Sequence, residues 1–541
     1  MKADRIFKNG KIYTVNDNRD WVQAVAIRAG KIIYTGNNEG VGILCGEDTQ
    51  INDLEGKMMI PGFFDAHCHP VLAAYLTSGI YLDIEYSIEE CISKIKKYMD
   101  DNPDRKNYFG LGYAEWLFDE KGPDRSLLDE ICNSKPVMIL GSSGHEAWVN
   151  TKALEAANVS AATPDPAPGF QYFERDKEGN PTGHLSETGP IVHMLMHIDF
   201  FDDEIIREKI IRSSAEYAAM GVTSIADMGI YPYLADSSIC IMAELTENGE
   251  FMQRVTGCGM YVDNLSEIEG HIERLAALKE KYNSDHFRIN FLKLMNDGTI
   301  ESRTAALSEP YDEDGSLVKV MVGGKRLADI CIEAAASDLD IHVHAIGDAA
   351  SLETLKMAEA LRSAGFNETR ITNAHTDYVK PEHRHLFGKF NVIANTTTVW
   401  HYGNPDMNRV IGERADNTFT LKSIIEGGAL LSLGSDYPVD EYGREPLKGI
   451  EMGVTRQLFD RPDAPVLKPY NEKLSIDDCI AGYTRNAAYQ VRMDKKLGSI
   501  EKGKYADLVI LEKNIFDVPV NEIHKVKVCE TILEGRTLFK A

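Results

Sequence analysis

Several short segments end in side chains that bind metals or move protons. Asp65-Ala66-His67-Cys68-His69-Pro70 closes the apolar run MMIPGFF. Alternate residues of an extended strand face the same way, so His67 and His69 point together with Asp65 below them. Two imidazoles converging at the C-terminal end of a strand form a natural pair of metal ligands. RINFLKL places Lys293 where a core strand is expected to be apolar, and DIHVHAIGD carries His342 and His344 on one face, ahead of Gly347-Asp348. RITNAH ends on His375 and ALLSLGSD on Asp436. Taken singly, each has a plain alternative: His375 as the cap of a neighbouring loop, Asp436 as the N-cap of a following turn. Taken together, imidazole, amine and carboxylate recur at the strand ends where (β/α)8 barrels carry their sites.

Such residues need a scaffold that gathers strand ends. Eight apolar runs read as strands: MMIPGFFDAH, GVTSIADM, RVTGCGMY, RINFLKL, DIHVHAI, RITNAH, NVIANT and ALLSLGSD. Helical patterns such as DEIIREKIIRSSAEYAAMG and IEGHIERLAALKEKY lie between them, the alternation of a parallel sheet. The pattern predicts an α/β fold, a (β/α)8 TIM barrel over residues 58–495. A long insertion, about residues 71–200, follows the first strand and holds its own strand, PVMIL, and a Pro-rich turn, ATPDPAPG. Insertions of that length in barrel loops tend to be lids or substrate walls. Residues 1–57 and 496–541 read instead as short β-hairpins, with turns at Asn9-Gly10, Ala29-Gly30 and Glu534-Gly535. Neither end has enough strands to bury a core alone, so the two are expected to build one composite β-sandwich.

The bulk properties narrow the partners. With 58 Lys+Arg against 84 Asp+Glu the formal net charge is −26, which repels nucleic-acid phosphates and anionic lipid. No GxGxxG follows a strand and no Walker-type loop is present, so a small molecule other than a dinucleotide is the expected partner. The start, MKADRIFKNGKIYTV, lacks the apolar core of a signal peptide, and no apolar run is long enough to span a membrane. The nine cysteines are scattered, with no CxxC pair, which suits free thiols in a reducing cytoplasm.

The order HxH, Lys, His, His, Asp along eight strands resembles the amidohydrolase superfamily, and more narrowly its YtcJ-like branch, which includes N-substituted formamide deformylases. The matching passages are IPGFFDAHCHP, SSGHEAWVNTKAL, PTGHLSE, LKLMNDGTIESRTAAL, HVHAIGDAA, NAHTDYV, LGSDYPV and LGSIEKGKYADLVIL. The resemblance implies that His67 and His69 bind the more buried metal, that His344 and His375 serve a second, and that Asp436 touches metal and the attacking water. Lys293 corresponds to a lysine that bridges two metals once carboxylated; carbamate formation turns a cation that divalent ions repel into an anionic oxygen ligand. A single-metal site with an unmodified lysine is the alternative. His342 is read as supporting or packing rather than ligating. Zinc is the default for this donor set, with iron, manganese and cobalt fitting similar sites.

Other matched residues imply substrate contacts: His145 in SGHEAWVN, Glu187 in GHLSE and Arg303 in SRTAAL. His145 suits polarisation of a carbonyl oxygen and Arg303 recognition of a carboxylate or carbonyl, with a surface salt bridge as the alternative for Arg303. Asn150 is expected to order its local turn. The main departure from the branch is ANTTTVW, residues 394–400, where relatives tend to carry Gln-Pro. The implied reaction is hydrolysis of a C–N bond in an amide, formamide or cyclic amide by metal-activated water, with Asp436 relaying the proton. A deaminase or an ester or lactone hydrolase on the same scaffold, and a non-catalytic binding or regulatory protein that keeps the fold, are the competing readings. The resemblance also implies a homodimer.

Overall fold

The computed structural model describes residues 2–118, 121–166, 171–230, 232–257, 270–440, 442–461 and 463–541. Part of three expected elements lies outside the described residues: 258–261 of the third strand run, 167–169 of the Pro-rich turn, and 268–269 of one helical pattern. The chain divides into two compact units, Met1–Pro70 with Arg212–Ala541, and Val71–Ile211. No described helix is long and apolar enough to cross a membrane.

The first unit contains the parallel strands of a (β/α)8 fold, numbered here β1 Phe63–Cys68, β2 Val222–Asp227, β3 Arg254–Gly257, β4 Phe287–Ile289 continued as Phe291–Met295, β5 Asp340–Ala345, β6 Ile371–His375, β7 Val392–Thr396 and β8 Leu431–Leu433. They pair in sequence order as two parallel ladders, β1 to the first half of β4 and the second half of β4 to β8. Asn290, between the halves of β4, donates its N–H to Gly257 O at 2.9 Å, and the Asp436 N–H beyond β8 donates to His67 O of β1 at 2.8 Å. Strand alternation sets what faces inward. Phe64 and Ala66 of β1 pack with Ala226, Met228 and residues Ala487, Ala488 and Val491 near the C-terminal helix Arg485–Gln490. That leaves Asp65 and His67 on the opposite face. On β5, Ile341, Val343 and Ala345 alternate in the same way with His342 and His344.

The sandwich joins both termini, with one difference from the expected hairpins. Sheet order in one layer is Lys31–Gly36, Ala24–Arg28, Arg5–Lys8, Gln50–Asp53; in the other it is Arg536–Lys540, Val528–Leu533, Leu508–Leu511, Met58–Pro61, Lys11–Tyr13, Trp21–Val22. The turns at Ala29-Gly30 (φ 47° and 76°) and Glu534-Gly535 (φ 48° and 75°) close antiparallel hairpins, two consecutive positive φ values matching the strand twist. Asn9-Gly10 does not: Arg5–Lys8 and Lys11–Tyr13 lie in different layers, so the segment crosses the sandwich. The crossing lets Phe7 and Ile12 enter one core with Val25, Met59, Leu508 and Ile532. MMIPGFFDAH likewise is two strands. Met58–Pro61 pairs with sandwich strands, which moves the sandwich boundary past residue 57, and β1 begins at Phe63. Gly62 makes the passage because a β-carbon there would strike the Thr223 side chain.

The second unit holds a six-stranded sheet, Tyr172–Arg175, Pro181–Ser186, Glu146–Val149, Val137–Gly141, Tyr108–Tyr113, Ile80–Tyr81, of which the sequence reading had found only PVMIL. That strand is a continuous apolar run because both faces are covered: Met138 and Leu140 enter one cluster, Val137 and Ile139 another.

Sandwich and barrel are tied by a buried ion pair. Arg254, first residue of β3, donates from Nε to Asp507 Oδ2 at 2.8 Å, from Nη2 to Glu534 Oε1 at 2.8 Å and from Nη1 to Asp285 O at 2.9 Å. Arg254→Met strands the Asp507 carboxylate in the interior and is expected to cost about 3–5 kcal/mol, read as a lower thermal midpoint. The double variant Arg254→Met/Asp507→Leu should regain part of the loss, since it removes the stranded charge.

Candidate metal centre

Strand β8 delivers its carboxylate by coming unusually close to β1. A β-carbon on Gly434 would lie 2.6 Å from both N and Cβ of His67. Beyond it, Ser435 donates from N (2.9 Å) and Oγ (2.5 Å) to the two oxygens of Asp65. Burial pushes the Asp65 carboxyl up to about 6 against these hydrogen bonds, so its place is that of a strut between strands. Asp436 then adopts φ 52°, as His375 at the end of β6 adopts φ 72°. Left-handed backbone at non-glycine residues costs free energy and clusters at functional sites.

The result is convergence. Asp436 Oδ1 lies 3.3 Å from His67 Nε2 and 3.6 Å from His69 Nε2, and Lys293 Nζ lies 3.3 Å from the same His67 nitrogen. His375 Nδ1 is 4.0 Å from Asp436 Oδ2. The His67 ring centroid is 4.9 Å from that of His375, which is 4.4 Å from that of His344. Desolvation holds all four imidazoles below the ordinary histidine range, His69 and His344 to about 3, with Lys293 adding repulsion, so each is neutral and offers a lone pair. Burial raises Asp436, opposed by the Lys293 charge.

The donor set fits a divalent cation. Ligand atoms of His67, His69 and Asp436 all lie within 4.8 Å of one another. Ligands bonded at about 2.0–2.1 Å to a tetrahedral ion sit roughly 3.4 Å apart, the spacing of the closest donors. His69 Nδ1 donates to Gly229 O at 2.8 Å, which leaves the Nε2 lone pair facing a carboxylate. His375 Nε2 is buried with no hydrogen-bond partner among the described residues. Lone pairs and carboxylate turned on one point call for a cation between them.

His344 is placed differently within its neighbourhood. Its Nε2 donates to Gly298 O at 3.2 Å and stands 3.7 Å from Asp297 Oδ1. Asp297, which sequence reasoning missed, accepts the N–H groups of Ala306 (3.0 Å), Ile346 (3.0 Å) and Gly347 (2.8 Å) and so shapes the HAIGD turn. Its signal was the acidic residue in LKLMNDG, immediately after β4. His342 lies beneath His67, its Nε2 3.1 Å from His67 Nδ1. Trp400, in the departing segment 394–400, stacks on His375 with centroids 5.9 Å apart at 17°.

Of the expected substrate residues, His145 and Glu187 meet within the second unit. Glu187 Oε2 lies 3.0 Å from His145 Nδ1, and the Glu187 N–H donates to His145 O at 2.6 Å. Glu187 has φ 71° and ψ 174°, a backbone region that costs a non-glycine residue about 1–3 kcal/mol. Arg303, half-exposed, is paired with Glu313 at 3.3 Å and Asp314 at 3.5 Å, the surface ion pair that was the alternative for it. Asn150 is fully buried and caps the helix Thr151–Ala156, accepting from Ala153 N at 2.9 Å.

Imidazoles, an amine and a carboxylate thus cluster at the C-terminal ends of the parallel β/α strands, a donor set that could hold a metal ion. The chain belongs to the amidohydrolase family, whose model matches residues 50–539. It is 32% identical over 410 residues to the exoenzymes regulatory protein AepA of Pectobacterium carotovorum, covering 74% of this chain and 86% of that protein. It is 26% identical to the putative amidohydrolase YtcJ of Bacillus subtilis over the full length of both, and 24% identical to the N-substituted formamide deformylase of Arthrobacter pascens over 98% of this chain and 97% of that one. Among solved structures, an uncharacterized metal-dependent hydrolase from Pyrococcus horikoshii OT3 superposes with a TM-score of 0.76 at 25% identity, covering 95% of this chain and 99% of that chain.

Gly434→Ala tests the geometry directly. The added methyl must push β8 from the His67 backbone, so bound divalent metal per chain is expected to fall sharply while the far-ultraviolet circular dichroism spectrum holds. Unchanged metal content would show that the approach of β8 does not set the site.

Proposed function

We propose that this chain is a metal-dependent hydrolase that cleaves a C–N bond of an amide, formamide or cyclic amide. The observation that carries the reading is the convergence of His67 Nε2, His69 Nε2 and Asp436 with Lys293 at the strand ends of an amidohydrolase-family barrel. His67, His69 and Asp436 would hold a divalent ion, zinc by default, with a carboxylated Lys293, His344 and His375 as donors for a second. Such an ion lowers the pKa of bound water to about 7 and polarises the carbonyl under attack.

The chain's own residues do the rest. The Asp436 carboxylate orients the water, takes its proton as the carbonyl carbon is attacked, and returns it to the leaving nitrogen. Its burial favours the protonated form, which suits a group that must accept a proton before it releases one. The neutral imidazoles keep their lone pairs at neutral pH because burial disfavours protonation.

Hydrolysis of esters or lactones and deamination would use the same water activation. A panel of N-formyl, N-acyl and cyclic amides against esters and aminopurines separates them, with turnover of an amide class expected. An Asp436→Asn variant should keep its metal but lose roughly 10²-fold or more in kcat, as removal of a general base does; normal turnover would sink its role. Zinc content of wild type and Lys293→Ala, measured together on protein purified without chelator, tests the bridge. About two ions per chain falling sharply in the variant is the expected result for a bridging carbamate, and one ion unchanged by the substitution would remove Lys293 as a ligand.

A further inference from the structure

We infer that His342 is a positioning residue that holds His67 in its metal-ligating orientation and tautomer, an inference that rests on the metal centre proposed above. His342 is fully buried on β5, in register with Lys293 of β4. Its Nε2 lies 3.1 Å from Nδ1 of His67, and the two rings meet edge-on with centroids 4.9 Å apart at 69°. The other nitrogen of His67, Nε2, is the one turned toward Asp436 and Lys293. A ligating nitrogen must present a lone pair, so His67 carries its proton on Nδ1 and donates it to His342 Nε2.

His67 differs in this from its neighbours. The outer nitrogens of His69 and His344 donate to the carbonyls of Gly229 and Gly298, groups that accept and cannot donate, so the backbone sets their tautomers. The outer partner of His67 is an imidazole, which can do either. In the ligating arrangement His342 keeps its own proton on Nδ1, a buried atom with no hydrogen-bond partner among the described residues, beside the T-shaped ring of Phe291 at 5.9 Å. Orientation of His67 is therefore borne by one side chain on a different strand, and removing its acceptor strands the His67 Nδ1–H in the interior. Outer partners of this kind are worth about 10–100-fold in metal affinity.

The test is zinc affinity of the stripped full-length protein, measured by competition with a chromophoric chelator, for wild type, His342→Gln and His342→Leu. The leucine variant is expected to bind zinc about 10–100-fold more weakly. The glutamine variant, whose side-chain oxygen can accept the same hydrogen bond, should recover most of that loss. Without metal, His67 can move its proton to Nε2, which faces Asp436 Oδ1, so the thermal midpoint of metal-free His342→Leu should match that of metal-free wild type, which separates positioning from general destabilisation. If the leucine variant does not fold, His342→Asn, too short to reach His67, takes its place. Wild-type affinity in the leucine or asparagine variant overturns the inference and leaves the metal centre standing. A changed coordination number in the visible spectrum of the cobalt-loaded variant would make His342 a direct ligand and also overturn it. Wild-type protein that takes up no zinc or cobalt overturns the metal centre, and this inference with it.

Discussion

Strands β1 and β8 meet with no room for a side chain between them. Gly434 faces the His67 backbone so closely that a β-carbon could not be accommodated, and the next two residues exploit the contact. Ser435 grips Asp65 through N and Oγ, while Asp436 donates its N–H to His67 O. The Asp436 carboxylate, close to both His67 and His69, is thus placed by the backbone of β1. Other features maintain this junction. Met58–Pro61 anchors the entry to β1 in the sandwich, Gly62 permits the passage from sandwich to barrel, and Arg254 clamps β3 to the C-terminal segment through Asp507 and Glu534.

Burial governs the chemistry of what the junction assembles. Charging an imidazole in this interior is costly because burial disfavours the protonated form, so the histidines stay neutral. The same burial raises Asp65, Asp297 and Asp436, yet their roles diverge with their partners. Asp65 and Asp297 are engaged by neighbouring N–H and O–H groups and brace the backbone. Asp436 instead faces the imidazole nitrogens of His67 and His69.

Much of the barrel was legible because its strands are apolar runs ending in residues that have no business in a core. The inward direction of His67, His342 and His344 follows from period-two alternation alone. The sandwich was less legible. Asn9-Gly10 has the composition of a hairpin turn, but a hairpin would leave Phe7 and Ile12 in one layer, whereas crossing between layers buries both in a shared core. The sheet of residues 71–211 was nearly invisible: strands such as Glu146–Val149 and Pro181–Ser186 mix His, Glu, Ser and Thr with apolar residues, and their pairing is set by distant neighbours. Arg303 shows the limit for single side chains, since its partners Glu313 and Asp314 sit along the chain with nothing in their spacing to announce the pairing.

By itself the sequence determined the number and order of the barrel strands and the face on which each strand-end histidine would lie, because periodicity and residue chemistry are local properties. Tertiary structure alone decided which donors share a point. The approach at Gly434, the acceptance of the His67 Nδ1 proton by His342, the stacking of Trp400 on His375 and the cradle around Asp297 all join residues far apart in the chain. Distances between strand ends depend on how the strands pair and how closely their backbones can pack, and no local pattern encodes that closeness before the chain has folded.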